Sequence, residues 1–308
     1  MREPVRSREI TLIDILAVLA VLGLLAGLFI FPILLPLLHH ERFLSMEAEC
    51  GRQLSDIGRA TLSYANDYAG ALPQAGGKGT KWGPRLRDWS ASNQADAFGL
   101  DPNSDGGEAT IGASLYLLVR HNGLSPKSFI CRADKRVTEF RPQKYGVTGR
   151  GLADLWVFGP DPARHCSYSY HVPYGGHALT TANEPGYAYA VAADRSPWID
   201  SPFAKAKDFS RFKPDWRPFT GTAEQARYGN TFRHYGEGQS VLFLDGHIEF
   251  AKRAYCSIED DNIYTVSRSP SGGDVLGTPP TLGSQPANKK DSLLVNDPPI
   301  MPSESRRR

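Results

Sequence analysis

His234, Asp245, His247 and Glu249 lie close together in the C-terminal half of the chain. Imidazole and carboxylate side chains are the usual ligands of zinc and manganese, so this is the first place to look for a metal centre. The surrounding residues, Gln239-Ser-Val-Leu-Phe-Leu-Asp-Gly-His-Ile-Glu-Phe250, argue for a different use. Asp245-Gly246 between two alternating apolar runs predicts a two-residue type I′ hairpin turn, with positive φ at both positions. That loop sets Leu244 opposite His247, Phe243 opposite Ile248, Leu242 opposite Glu249 and Val241 opposite Phe250. Val241, Phe243, Ile248 and Phe250 then form one apolar face. Asp245 is used by the turn, and Leu244 rather than a ligand faces His247. The expectation is a polar hairpin face with no catalytic, cofactor-binding or metal residues.

A second acidic stretch, Asp101-Pro-Asn-Ser-Asp-Gly106, has the spacing of the first half of a calcium loop. Gly112 stands where that loop needs its bidentate Glu, so the stretch reads as a polar turn, with Glu108 the nearest other carboxylate. Cys50, Cys131, Cys166 and Cys256 are far apart and form no C-x-x-C pair, which excludes the usual zinc and redox motifs. An even count leaves two disulfides in three connectivities open, beside buried free thiols. No G-x-S-x-G, P-loop or G-x-G-x-x-G sequence occurs. The chain reads as a non-enzyme without cofactors.

The elements that would carry these residues begin with an apolar run, Ile10 to Leu38, which holds the single carboxylate Asp14. Its charge-free part, Ile15 to Leu38, meets the ~20-residue length of a membrane-crossing helix. The run ends at His39-His40-Glu41-Arg42 without an A-x-A-like cleavage site. Arg2, Arg6 and Arg8 precede it, so residues 1–9 are expected in the cytoplasm and the rest beyond the inner membrane, periplasmic or extracellular. Asp14 marks the start of the helix, where the backbone dipole favours an anion. Leu54, Ile57, Thr61, Tyr64 and Tyr68 recur at helical spacing and predict an amphipathic helix after the span. Ser114 to His121 predicts a second helix, and Ser167–His171, Ala188–Ala192 and Ser240–Phe250 predict strands. The exported domain is expected over 43–266, and the Pro-, Ser- and Gly-rich tail 267–308 is expected to be disordered. The net charge is +2 over 308 residues, with Lys and Arg scattered, which excludes a strong nucleic-acid footprint.

Ile10-Thr-Leu-Ile-Asp14 resembles the opening of type IV pilins and type II secretion pseudopilins. His234-Tyr-Gly-Glu-Gly-Gln-Ser-Val-Leu-Phe-Leu-Asp-Gly-His247 resembles the C-terminal signature of the prepilin-type H-X9-DG proteins, with ten residues here between His234 and Asp245. Cys50-Gly-Arg-Gln-Leu-Ser-Asp-Ile-Gly58, Ser114–Arg120, Phe129-Ile-Cys-Arg-Ala-Asp134, Ser167–Tyr170, Ala193-Asp-Arg195 and Asp261–Tyr264 are similar to blocks of that family in the same order. The resemblance implies an α+β, pilin-like fold: a long N-terminal helix, transmembrane then amphipathic, packed on a small antiparallel sheet with loop-rich insertions. It implies Asp14, His234, Asp245 and Gly246 as motif residues, and for Asp14 a pairing with a neighbouring subunit's N-terminus as the alternative to a role at the helix start. The partners it implies are the bilayer and other pilin-like subunits or secretion machinery. Glu9 replaces the Gly that prepilin peptidase requires, so the N-terminus is expected to stay uncleaved. Packing of the Cys131 block on the Cys50 block would give a Cys50–Cys131 disulfide. The implied function is that of a membrane-anchored pseudopilin-like structural protein. The alternatives are an anchored sugar- or peptide-binding module using Trp82/Trp89 and Tyr168/Tyr170/Tyr174, and an anchored hydrolase using His234 and Asp245.

Overall fold

A computed structural model describes residues 12–215 and 219–300. The chain divides into two compact units, Met1–Ser45 and Met46–Arg308. Helix α1 runs Leu12–Asp67 and contributes residues to each. In the first unit the described large apolar side chains of α1, among them Leu12, Ile15, Leu19, Leu22 and Leu24, are all exposed, and Asp14 sits in its first turn.

The expected membrane-spanning helix over 10–38 is corrected. Among the described residues no helix is long and apolar enough to cross a membrane. Residues 1–11, which include the expected cytoplasmic segment, the uncleaved N-terminus at Glu9 and the first two residues of the expected span, lie outside the described residues. The pilin-like architecture and the single-pass inner-membrane placement fall with that span. What stands is an α+β fold on a five-stranded antiparallel sheet.

In the second unit the expected amphipathic pattern on α1 is seen directly. Leu54, Ile57, Thr61, Tyr64 and Ala65 are buried, whereas Tyr68 lies beyond the helix end, exposed and stacked on Tyr64 at 4.1 Å. Short strands β1 (Lys81–Trp82) and β2 (Glu108–Ala109) pair in parallel, with a one-turn helix α2 (Gln94–Phe98) between them. Helix α3 (Ile111–Asn122) follows, N-capped by the Thr110 hydroxyl and closed by Gly123 at φ 65°.

The main sheet has the order β6–β5–β4–β3–β7, from β3 (Tyr168–His171), β4 (Ala190–Asp194), β5 (Gln239–Phe243), β6 (Ile248–Ala251) and β7 (Leu294–Val295). A further single-turn helix, α4 (Ala223–Arg227), precedes β5. Both faces of the sheet are covered. Tyr168, Tyr170, Ala192, Leu242 and Val295 join the core that contains Leu54 and Ile57 of α1 and Leu115 and Leu118 of α3. Ala193, Val241, Phe243, Ala251 and Leu294 pack instead with Trp198, Phe212, Tyr255, Ile263 and Tyr264. Burial on two faces explains why β3 and β4 carry no clean alternation of apolar and polar residues.

The hairpin forms where it is expected, with a register shifted by one. Leu242 pairs with Ile248, Val241 with Glu249 and Ser240 with Phe250. The Gly246 N–H donates to the Phe243 carbonyl at 2.9 Å, and the Phe243 N–H donates to His247 O at 3.0 Å. Leu244, Asp245 and Gly246 therefore form a three-residue loop with Gly246 at φ 91°, the bulged alternative to a two-residue type I′ turn. One residue of slip exchanges the faces: Leu242 and Ile248 turn toward α1, and Val241 and Phe243 turn toward the second core. The expected grouping of Val241, Phe243, Ile248 and Phe250 is corrected accordingly. Gly51 and Gly58 mark the contact on α1, since a Cβ at Gly58 would lie 2.7 Å from Leu242 Cδ1.

The expectation of a disordered tail is also corrected over its described part. Leu293, Leu294 and Val295 are fully buried, and β7 pairs with β3 at Tyr170↔Val295 and His171↔Leu294. The Asp297 carboxylate accepts from the N–H groups of Ile111 and Gly112, each at 2.7 Å, and so caps α3 from 185 residues away. Composition misleads here because the tail need not hold a core of its own; it adds an edge to one that already exists.

Candidate functional site

Four elements converge beside the end of β4. Cys50 comes from α1, and Cys131 from the segment after the single turn Pro126–Phe129. Asp194 ends β4, and His234 lies in the turn that leads into β5. Cys50 and Cys131 form a disulfide with a Cα–Cα separation of 5.3 Å. His234 Nε2 lies 3.2 Å from Asp194 Oδ2, with both side chains fully buried. The same carboxylate oxygen accepts from the Ser240 N–H at 2.8 Å, which ties the pair to the first residues of β5. One ligand atom from each of Cys50, Cys131, Asp194 and His234 lies within 4.8 Å of all the others.

The backbone at this turn is strained. His234 and Tyr235 take φ of 49° and 56°, in a region that side-chain-bearing residues rarely occupy. Such strain persists only where the surroundings over-determine it, and here the buried His234–Asp194 pair does so. Burial pushes the His234 imidazole toward neutrality, but the charge of Asp194 and the hydrogen bond to it outweigh burial and hold its pKa above the ordinary value.

A second buried ion cluster adjoins the first. Asp134 pairs with Arg195 through Nε at 3.3 Å and with Arg233 through Nη2. Arg195 Nη2 also donates to the carbonyls of Ala163 and Cys166. Consecutive residues Asp194 and Arg195 thus engage His234 and Asp134, and consecutive residues Arg233 and His234 engage Asp134 and Asp194. Removing one partner would leave an uncompensated buried charge, so the cluster fixes three loops relative to one another.

The other sequence-highlighted residues are placed elsewhere. Asp245 pairs with His247 at the hairpin tip, Oδ1 to Nδ1 at 2.6 Å, both partly exposed. The His247 ring stacks on Phe243 at 4.4 Å, and Glu249 lies opposite Val241. His234 and Asp245, the pair that a hydrolase would need, therefore have different partners. The aromatic residues of the binding reading are mostly core: Trp82, Tyr168, Tyr170 and Tyr174 are buried, and half-buried Trp89 packs edge-on against Phe140 and Tyr145. Asp101 spends its carboxylate on its own loop, accepting from Asn103 N and Asp105 N at 2.9 Å each. Cys166 and Cys256 are free thiols. A separate cleft of about 580 Å³ is lined by Arg85, Arg87, Trp89, Phe98, Glu108 and Val157, among others.

Sequence reasoning singled out His234 but missed Asp194 as its partner. The available signal was the pair Asp194-Arg195 closing an otherwise apolar strand, Ala190-Val-Ala-Ala193. A charge pair at that place must find buried partners or leave the strand. No protein-family model, no curated protein and no solved structure matches this chain.

Proposed function

We propose that the chain is a non-catalytic structural subunit that assembles with further copies of itself through the N-terminal part of α1. The observation that carries this reading is the apolar surface from Leu12 to Leu24. Leu12 and Ile13 are each 76% exposed, and Val18, Leu19, Val21 and Leu22 are each exposed by more than half. A helix apolar on all sides is normally covered, and a contiguous exposed apolar surface marks an interaction site. Bundling of equivalent helices would bury it. The resemblance of Ile10–Asp14 and of His234–His247 to pseudopilin-like sequences supports a role in a secretion- or pilus-like assembly. The burial of His234 and Asp194 supports a structural rather than a catalytic use of the motif, since a substrate has no route to either. Sedimentation velocity on the full-length protein should show concentration-dependent oligomers that are lost in Leu19→Lys/Leu22→Lys. A parent that stays monomeric over the same concentrations would refute the reading.

A ligand-binding module is the second reading, and the cleft beside Arg85, Arg87 and Trp89 favours it. A monomeric parent whose melting temperature rises saturably with an oligosaccharide or peptide, and not in Trp89→Ala, would replace the assembly reading with this one.

A further inference from the structure

We propose that Cys50, Cys131, Asp194 and His234 become a buried four-coordinate zinc site once the Cys50–Cys131 bond is reduced. In a tetrahedral site with Zn–S ≈ 2.3 Å and Zn–N or Zn–O ≈ 2.0–2.2 Å, ligand atoms stand roughly 3.3–3.8 Å apart. The four ligand atoms already lie within 4.8 Å of one another, and His234 Nε2 and Asp194 Oδ2 are 3.2 Å apart. The change required is local: the two sulfurs separate from bonding distance to about 3.8 Å.

Three further observations point to a cation at this place. Two thiolates, an imidazole and a carboxylate form a donor set that suits zinc and is poor for magnesium or calcium. All four residues are buried, as in closed structural zinc sites, which leave no coordination position for water. Asp194 Oδ1 is fully buried with no hydrogen-bond partner among the described residues, an unused carboxylate lone pair inside the protein. Buried polar atoms in that condition call for an explanation, and an ion is one.

The chemistry balances with a dithiol reductant. The dithiol gives two electrons and two protons to the Cys50–Cys131 bond, which becomes two thiols, and is itself oxidised to a disulfide. The thiols then release both protons to solvent as their sulfurs bind Zn²⁺, and His234 gives up the Nε2 proton it directs at Asp194 so that this nitrogen coordinates as a neutral imidazole. The segment holding Cys131 is thereby tied to α1 in either state, by a covalent bond when oxidised and by a metal when reduced.

The test uses the full-length chain. It is unfolded in guanidinium with dithiothreitol, freed of reductant under anaerobic conditions, and refolded with zinc sulfate or cobalt chloride. The expected result is one metal per chain by elemental analysis, with a thiolate-to-cobalt charge-transfer band and tetrahedral cobalt bands. Oxidised protein carried through the same steps should hold none. His234→Ala and Cys131→Ser should each weaken binding by about tenfold or more. A reduced chain that refolds without metal in the presence of zinc, or that does not refold with zinc present, overturns the proposal. So does metal that binds the oxidised chain equally, or that persists in Cys131→Ser and so belongs to Cys166 or Cys256.

Discussion

His234 is a residue whose role depends on one neighbour. Its folded-state pKa is held above the ordinary value by Asp194, against burial. A group of this kind contributes its full stabilisation below its unfolded pKa of about 6.5 and loses it as pH rises through the folded value. The melting temperature of the parent should therefore fall as pH rises above about 6.5, and His234→Gln should remove that slope. A slope unchanged in His234→Gln would mean that another group titrates. Asp291 and Asp297, which burial pushes up to about 6, do not mimic the effect. Their contribution falls between about pH 4 and 6 and is flat above that range. The two titrations are thus separated along the pH axis.

At the scale of elements, the hairpin β5–β6 depends on one glycine. Gly246 sits at φ 91°, and a Cβ added there would lie 3.2 Å from Leu62 Cδ1 on α1. Gly246→Val places a β-branched side chain in the left-handed region. It should cost on the order of 1–3 kcal/mol, read as a lower denaturation midpoint at unchanged slope. His247→Ala, at the exposed side of the same turn, should change stability by no more than about 0.5 kcal/mol. Equal losses in the two variants would show that the tip is held by the Asp245–His247 pair rather than by backbone conformation. The hairpin also shows the limit of local reading. Asp-Gly located the turn, but two- and three-residue loops both accept it. Only packing on α1 and on the second core selects the register that buries Leu242 on one side and Val241 on the other.

For the whole molecule, the decisive segment is the stretch after Ser292. Leu293, Leu294 and Val295 are fully buried and Asp297 caps α3. Burying a large aliphatic side chain is worth roughly 1.5–3 kcal/mol, so the three together approach the 5–15 kcal/mol total of a typical domain. A chain ending at Ser292 should be unfolded or melt far below the parent by circular dichroism. An unchanged melting temperature would restore the view of this segment as a dispensable tail. Asp297→Ala alone should cost about 1–3 kcal/mol, since it leaves two buried helix N–H groups without an acceptor.

By itself the sequence determined what depends on neighbours in the chain. The amphipathic face of α1 at Leu54, Ile57, Thr61 and Tyr64, the helix around Ser114, four of the strands and the Asp245-Gly246 turn all follow from periodicity and turn chemistry. Tertiary structure decided what depends on distant partners. It placed Asp194 against His234, set Asp134 between Arg195 and Arg233, and drew Leu294 and Val295 to the free edge of β3. It also turned both faces of the sheet inward. The partners in such pairings are not readable from local spacing, because a buried charge or an edge strand is satisfied by whichever residue the fold brings to it, not by one at a fixed distance along the chain.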